Sequence, residues 1–219
     1  MIALALDAST YSGSVAVVRD GALVGEADAA MRDRHRETLM PAVDAVLTRA
    51  GIGIGEIDRI VCGAGPGSFT SLRIAAGLAK GLCFGLGRPL FAISSLALIV
   101  GGLPDLARGK YLAALDALRG QSYVACFGVN DQGDVFAESP MLLVTSDAVP
   151  QVARELKAEV VGPAQTRYAP PRARGILRAE ELYLAPGPVN MALWEPDYGR
   201  KAEAQVRWEA AHGRPLSAP

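Results

Sequence analysis

The sequence predicts an α/β protein of two lobes, each built on a mixed β-sheet with flanking helices. Two observations carry this. Over the first hundred residues the apolar period runs β-β-β-α-β-α-β, and a second strand-rich pass opens near Lys110. Both passes begin with an apolar strand that ends in aspartate, "LALDAST" and "AALDALRG", as a weak internal duplication would. The expected lobes are residues 1–103 and 104–219, with "GGLPDLARG" as the linker and a last helix packing back on the first lobe.

Element by element, "IALALD" is a short continuous apolar strand, and "GSVAVVRDGALVGEADAA" gives two strands hinged at Asp20-Gly21, a dipeptide suited to a tight turn. In "RHRETLMPAVDAVLTRAG" the period changes. Leu39, Val43, Val46, Leu47 and Ala50 recur at helical spacing, and Gly51 can take the left-handed conformation that ends a helix. "IDRIVCGAGPG" reads as strand and turn, residues 70–86 as a second helix, and "PLFAISS" as a strand, with both helices on one face of the sheet. In the second pass "KYLAALDA", "SYVACFGVN" and "VFAESPMLLV" read as strands, with a turn over Asn130–Gly133. "DAVPQVARELKA" reads as an amphipathic helix and "YGRKAEAQVRWEAA" as a final one.

Composition narrows the function classes. The 219 residues are 50% apolar and 21% charged, enough for one large core or two small ones. A formal charge of -1 supplies no global field for drawing nucleic acid. Cys62, Cys83 and Cys126 stand far apart in apolar contexts, which fits buried thiols in a reducing compartment and matches no zinc spacing. The opening "MIALALDAST" lacks a basic segment and turns polar at Asp7, and Leu90 to Leu103 is too short to span a membrane. The expected location is the cytoplasm.

The glycine-rich turn in "VCGAGPGSFTSLRIAAGLAKGL" invites comparison with phosphate-binding loops. A Walker loop needs a lysine and a hydroxyl after its second glycine, but Ser68-Phe69-Thr70 follow Gly67. A dinucleotide fingerprint needs a third glycine where Ser68 stands, and here Pro66 stiffens the turn. Two readings stay open: a strand-to-helix turn capped by Ser68 or Thr70, or an anion site.

The same stretch resembles the signature of the TsaB (YeaZ) family, the non-catalytic partner in making threonylcarbamoyladenosine at position 37 of tRNA. Of ten fixed letters in G-x-G-P-G-S-F-T-G-L-R, nine stand here, with Ser71 replacing the last glycine. "LALDAST", "RHRETLMPAVDAVL", "ALDALRGQSYVACF" and "EPDYGRKAEAQ" resemble the family's other motifs in order, with departures at Leu118, Gln121, Ser122 and Gly199. The resemblance implies the two-lobed ASKHA fold of actin, Hsp70 and sugar kinases. It also implies an accessory subunit, without cofactor or metal, that binds the catalytic subunit TsaD and organises it for the ATPase TsaE and for tRNA.

Active members of that fold bind phosphate at a D-x-G-[ST] turn. Here Ala8 replaces the glycine, leaving Asp7, Ser9 and Thr10 as a vestigial nucleotide turn. TsaD holds a metal through H-x-x-x-H, whereas this chain has His35 and then Leu39 at that place, and His212 lies far away. The alternatives are a small ASKHA-fold ATPase or kinase, and a peptidase-like activity for which no Ser/His/Asp spacing is present. The second helix is apolar around most of its circumference, with Gly77, Gly81 and Gly85 every four residues. The expected partner interface is therefore His35, Leu39, Val43, Val46, Leu47, Ile74, Gly77, Leu78, Gly81, Leu82 and Gly85, used by TsaD and by a second copy in a homodimer. Arg167, Arg172, Arg174 and Arg178 form an expected tRNA edge, with solvated surface arginines as the other reading.

Overall fold

The computed structural model describes residues 1–31, 38–199, 208 and 211–213. The first sheet contains β1 (Ile2–Asp7), β2 (Ser12–Arg19), β3 (Ala22–Ala30), β4 (Arg59–Gly63) and β5 (Leu90–Ile93), in the order β3-β2-β1-β4-β5. Strands β1 to β3 pair antiparallel, and β4 and β5 add parallel to the other edge of β1. The second sheet contains β6 (Gly109–Asp116), β7 (Gln121–Val129), β8 (Val135–Ala137), β9 (Leu142–Thr145), β10 (Glu159–Gly162) and β11 (Arg167–Tyr168). Its order is β11-β10-β6-β7-β8, with β9 also paired to β7. Matching β1 to β6 and β4 to β10 superposes the two orders: a hairpin on one side of the first strand, parallel strands on the other. The duplication sensed in two short aspartate-ended strands is thus a duplication of topology, with two equivalent mixed sheets in one α/β fold.

Strand alternation explains the layers, since successive side chains leave a strand on opposite faces. Leu4 and Leu6 of β1 join the core under α1 (Leu39–Ala50) and α2 (Phe69–Leu86), whereas Ala3 and Ala5 face the second sheet. That inner layer holds α3 (Ser95–Gly101), a 3-10 segment at Ala173–Leu177, and Tyr183 from a short helix (Glu180–Leu184). Beyond the second sheet, α4 (Val149–Leu156) covers Leu112, Ala114, Val124 and Cys126.

Most elements fall where the periodicity placed them, and Gly51 ends α1 in the left-handed conformation. Three differ. "VFAESPMLLV" breaks into β8 and β9 because Pro140 cannot donate to the ladder. Residues 95–101 form a helix buried throughout, which its uniformly apolar pattern could not distinguish from a strand. Gly101 and Gly102, expected in a linker, press against Gly175 and Arg172 so closely that a Cβ on either would collide. A cut after Leu103 therefore divides the two sheets in sequence, while the inner layer draws from both sides of it. The expected final helix falls largely outside the described residues. Among those described, α2 alone is long and apolar enough to cross a membrane, yet Leu72, Ala75, Ala79 and Cys83 are core residues of the first sheet.

The four arginines expected at a tRNA edge each bond within the protein. Arg172 pairs with Asp28 and Arg174 with Glu26 (2.9 Å), both acids on β3. Arg174 also donates through Nε and a terminal nitrogen to the carbonyl of Gly102 at 3.2 and 2.9 Å, and Arg178 donates to that of Leu103 at 2.5 Å. Arg167 pairs with Glu159 at 2.5 Å and lies over the Tyr111 ring. A run without acidic neighbours in sequence meets its acids in space. These side chains clasp 167–178 to β3, to β10 and to the end of α3. Arg174→Ala is expected to lower stability by about 1–3 kcal/mol in urea unfolding, and RNA affinity lost at unchanged stability would return the residue to a surface role.

Candidate functional site

Two places bear on function: the turn region between the sheets and the outer face of α2. At the first, β1 ends in Asp7, which is fully buried. Asp7 Oδ1 accepts from the Ser9 amide at 2.9 Å and the Ser9 hydroxyl at 2.7 Å, and Oδ2 accepts from the Ser95 hydroxyl at 2.5 Å. The Gly65 amide donates in turn to Ser95 Oγ at 3.1 Å. Thr10 turns outward and bonds Ser12.

The glycine-rich loop closes on this network. The Ser68 amide donates to the Ser9 carbonyl at 2.7 Å, and a Cβ at Gly67 would strike that carbonyl. At Gly63 a Cβ would strike Asp7 Oδ2, and at Gly65, whose φ is +90°, the carbonyl of Asp197. Gly65 and Gly67 are there because backbone packs on backbone, and Gly63 because the Asp7 carboxyl fills the space a side chain would need. Ser68 is the N-cap residue of α2 but makes no side-chain cap; its hydroxyl meets Ser71 at 3.1 Å, so the expected hydroxyl cap is corrected.

Between the ends of β1 and β6 lies a cleft of about 250 Å³ lined by Ser9, Thr10, Ser68, Asp116, Leu118 and Tyr123 among others. Asp116 repeats the work of Asp7, with Oδ1 accepting from the Leu118 amide at 2.7 Å. Among the described residues lining the cleft, Asp116 is the only charged side chain. A polyphosphate would meet hydroxyls and a carboxylate there, without a cation to balance it. Among the described residues no cluster of three His, Cys, Asp or Glu could hold a metal. Burial pushes the thiols of Cys62 and Cys126 up and that of Cys83 to about 11, which leaves all three poor nucleophiles.

The second place separates the expected interface residues. Leu39, Val43, Val46 and Leu47 lie in the core between α1 and the sheet, a correction to their assignment as contacts: the helical period marked the face that meets the protein's own strands. Leu78 and Leu82 are half-buried against the same core. Gly77, Gly81 and Gly85 are exposed, with open space where a Cβ would stand, and Ile74 beside them is 38% exposed. His35 falls outside the described residues. Phe84, which is 85% exposed, is absent from the expected interface, although its place three residues beyond Gly81 marks it as a neighbour on that face.

One flank of α2 is bordered by residues 189–199, returning from the second half of the chain. The Val189 amide donates to Leu90 and the Asp197 amide to Ala64, so this strap runs antiparallel to α2. Trp194 covers Lys80, and Tyr198 packs its ring 4.6 Å from Phe69. Of the departures, Ser71 and Ser122 are buried and bond other serines, while Gly199 sits against the Tyr123 ring at φ +67°. Leu118 is exposed at the cleft.

A family model described as "TsaD: tRNA N6-adenosine threonylcarbamoyltransferase" matches residues 28–183. The tRNA threonylcarbamoyladenosine biosynthesis protein TsaB of Escherichia coli is 31% identical over 72% of this chain and 68% of its own length. The chain belongs to the TsaB (YeaZ) family. TsaB of Haemophilus influenzae is 36% identical over 55% of the chain, which spans about half of that relative, and TsaB of Bacillus subtilis is 28% identical over 95% of this chain and 98% of its own. Among solved structures, YeaZ of Pseudomonas aeruginosa superposes with TM-score 0.72 at 28% identity, over 90% of this chain and 99% of that one. A second crystal structure, of a protein described as similar to peptidase YEAZ from Pseudomonas aeruginosa, gives 0.77 over 91% and 99% at 28% identity. The TsaB-family signature therefore describes a loop that welds the first turn, α3 and the strap together.

Burial raises the Asp7 carboxyl above its ordinary value near 3.8, against the smaller opposing effect of its hydrogen bonds to Ser95 and Ser9. A carboxyl with a raised folded value contributes stability that is full at low pH and lost as pH rises through that value. Asp7→Asn, neutral throughout, is expected to gain in melting temperature relative to the parent as pH rises above this range. Parallel melting curves for the two proteins from acid to neutral pH would contradict it.

Proposed function

We propose that this chain is an accessory subunit in threonylcarbamoyladenosine synthesis on tRNA, docking a TsaD-family catalytic subunit through the open face of α2 and doing no chemistry itself. In this reading it organises that subunit in the cytoplasm for the ATPase TsaE and for tRNA. The names carried by its relatives support the pathway.

The observation that carries the docking is the free face itself. Ile74, Gly77, Leu78, Gly81, Phe84 and Gly85 follow one another at helical spacing, with open space at all three glycines. An uncharged, partly apolar face on a soluble domain is commonly an interaction site. Each glycine weakens the helix by about 1 kcal/mol relative to alanine, a cost that close approach of a second helix offsets. The TsaD-family model matches a span that includes α1 and α2, so a TsaD-family subunit carries the counterpart of this face, and two like faces can pack around an approximate two-fold axis. The same geometry would serve a homodimer at high concentration.

The ATPase or kinase alternative rests on the cleft, where the described residues supply hydroxyls and one carboxylate but no cation. Calorimetric titration with Mg-ATP is expected to show neither binding nor turnover. For the docking, Gly81→Leu is expected to abolish co-purification with the TsaD-family subunit of the same organism, at an unchanged or raised melting temperature, because position 81 is exposed and a Cβ there meets none of the described residues. Unchanged affinity would reject the docking face.

A further inference from the structure

We propose that residues 189–199 act as a positioning strap that draws the two cations of α2 off its docking face, so that Trp194, Glu195 and Tyr198 set the affinity for the partner without touching it. The inference rests on the docking role of α2 proposed above.

The sequence of α2 contains two charged residues, Arg73 and Lys80. Arg73 stands four residues before Gly77, and Lys80 three after Gly77 and four before Phe84, so both are surface neighbours of the open stripe. A lysine or arginine at such a place can lay its stem along apolar surface and keep its head in water. Beneath a packed partner helix that head would lose its water without gaining a counter-charge.

The strap seats Lys80 directly and backs the Phe69 ring of α2 on which Arg73 lies. Lys80 Nζ lies 3.7 Å from Glu195 Oε1 and 5.7 Å from the centroid of the Trp194 ring, leaving the side chain 27% exposed. The Arg73 guanidinium lies 5.0 Å over the Phe69 ring, which Tyr198 backs at 4.6 Å. Tyr198 donates its hydroxyl to Glu195 Oε2 at 3.1 Å, so one carboxylate joins both seats. The strap is anchored independently of these contacts. Its ends bond Leu90 and Ala64, the Tyr198 carbonyl accepts from the Tyr123 hydroxyl of the second sheet at 3.2 Å, and Val189 and Met191 pack on the core of the first sheet. The stripe from Ile74 to Gly85 is left uncharged and suits an apolar helix with small residues at its crossing point, such as the counterpart helix of a TsaD-family subunit.

The test is calorimetric titration of the TsaD-family subunit of the same organism into five proteins: the parent, Glu195→Ala alone, Glu195→Ala combined with Trp194→Leu, that pair combined with Lys80→Met, and Gly81→Leu. Melting temperatures are recorded in parallel. The paired variant is expected to bind about tenfold more weakly or worse, because a released cation must be desolvated. Adding Lys80→Met is expected to restore affinity to within about threefold of the parent, a rescue that simple loss of folding or loss of a direct contact would not give. Glu195→Ala alone, at a largely exposed position, is expected to weaken binding in the same direction and keeps the test valid if the pair unfolds. Parental affinity in the paired variant, or failure of Lys80→Met to rescue it, overturns the strap while Gly81→Leu still abolishes binding. Unchanged binding by Gly81→Leu overturns the docking face instead. Self-association that follows the same order of variants, with no binding of the TsaD-family subunit, overturns the choice of partner.

Discussion

Burial of the Asp7 carboxylate is the constraint on which the rest of the structure turns. A carboxylate out of water needs donors, and it draws them from its own turn through Ser9 and from α3 through Ser95. Ser95 in turn holds the amide of Gly65. Three segments far apart in the chain are thereby pinned at one point: the end of β1, the glycine-rich loop and the start of the helix between the sheets. The glycines follow from this, because side chains at 63, 65 and 67 would occupy space taken by Asp7, Asp197 and Ser9.

The same arrangement shapes the cleft between the two sheets. The equivalent aspartates at the ends of β1 and β6 both fold back on their own turns. In the glycine-rich loop the amides of Ser68 and Gly65 are committed to Ser9 and Ser95. The cleft that remains is lined by hydroxyl, apolar and carboxylate groups. The long helix following the loop buries one side against the sheet and offers the other to solvent.

Charge is managed in the same spirit. Arginines that read as a basic stretch neutralise Asp28, Glu26 and Glu159, joining the second half of the chain to the first sheet and closing its own edge. The cations of α2 are held by aromatic rings and by Glu195. Such partly exposed pairs contribute little each to stability; their effect lies in where they place charge.

The sequence by itself determined the strands of the first sheet with α1 and α2, the opening strands of the second sheet and α4, the duplication, the end of α1 at Gly51 and the family, because these depend on local period, on left-handed glycine and on short motifs. It also marked the glycine stripe of α2. Tertiary structure decided what those signals faced. Leu39, Val43, Val46 and Leu47 have the period of a buried face, and period alone cannot say whether the cover is the protein's own sheet or a partner. The helix at 95–101 is apolar on every side, so it has no period to read. The acids that meet the arginines lie more than a hundred residues away for Arg172 and Arg174, and the strap reaches α2 only after the chain has crossed the second sheet. Contacts between residues so distant in sequence arise from topology, which no local pattern of side chains encodes.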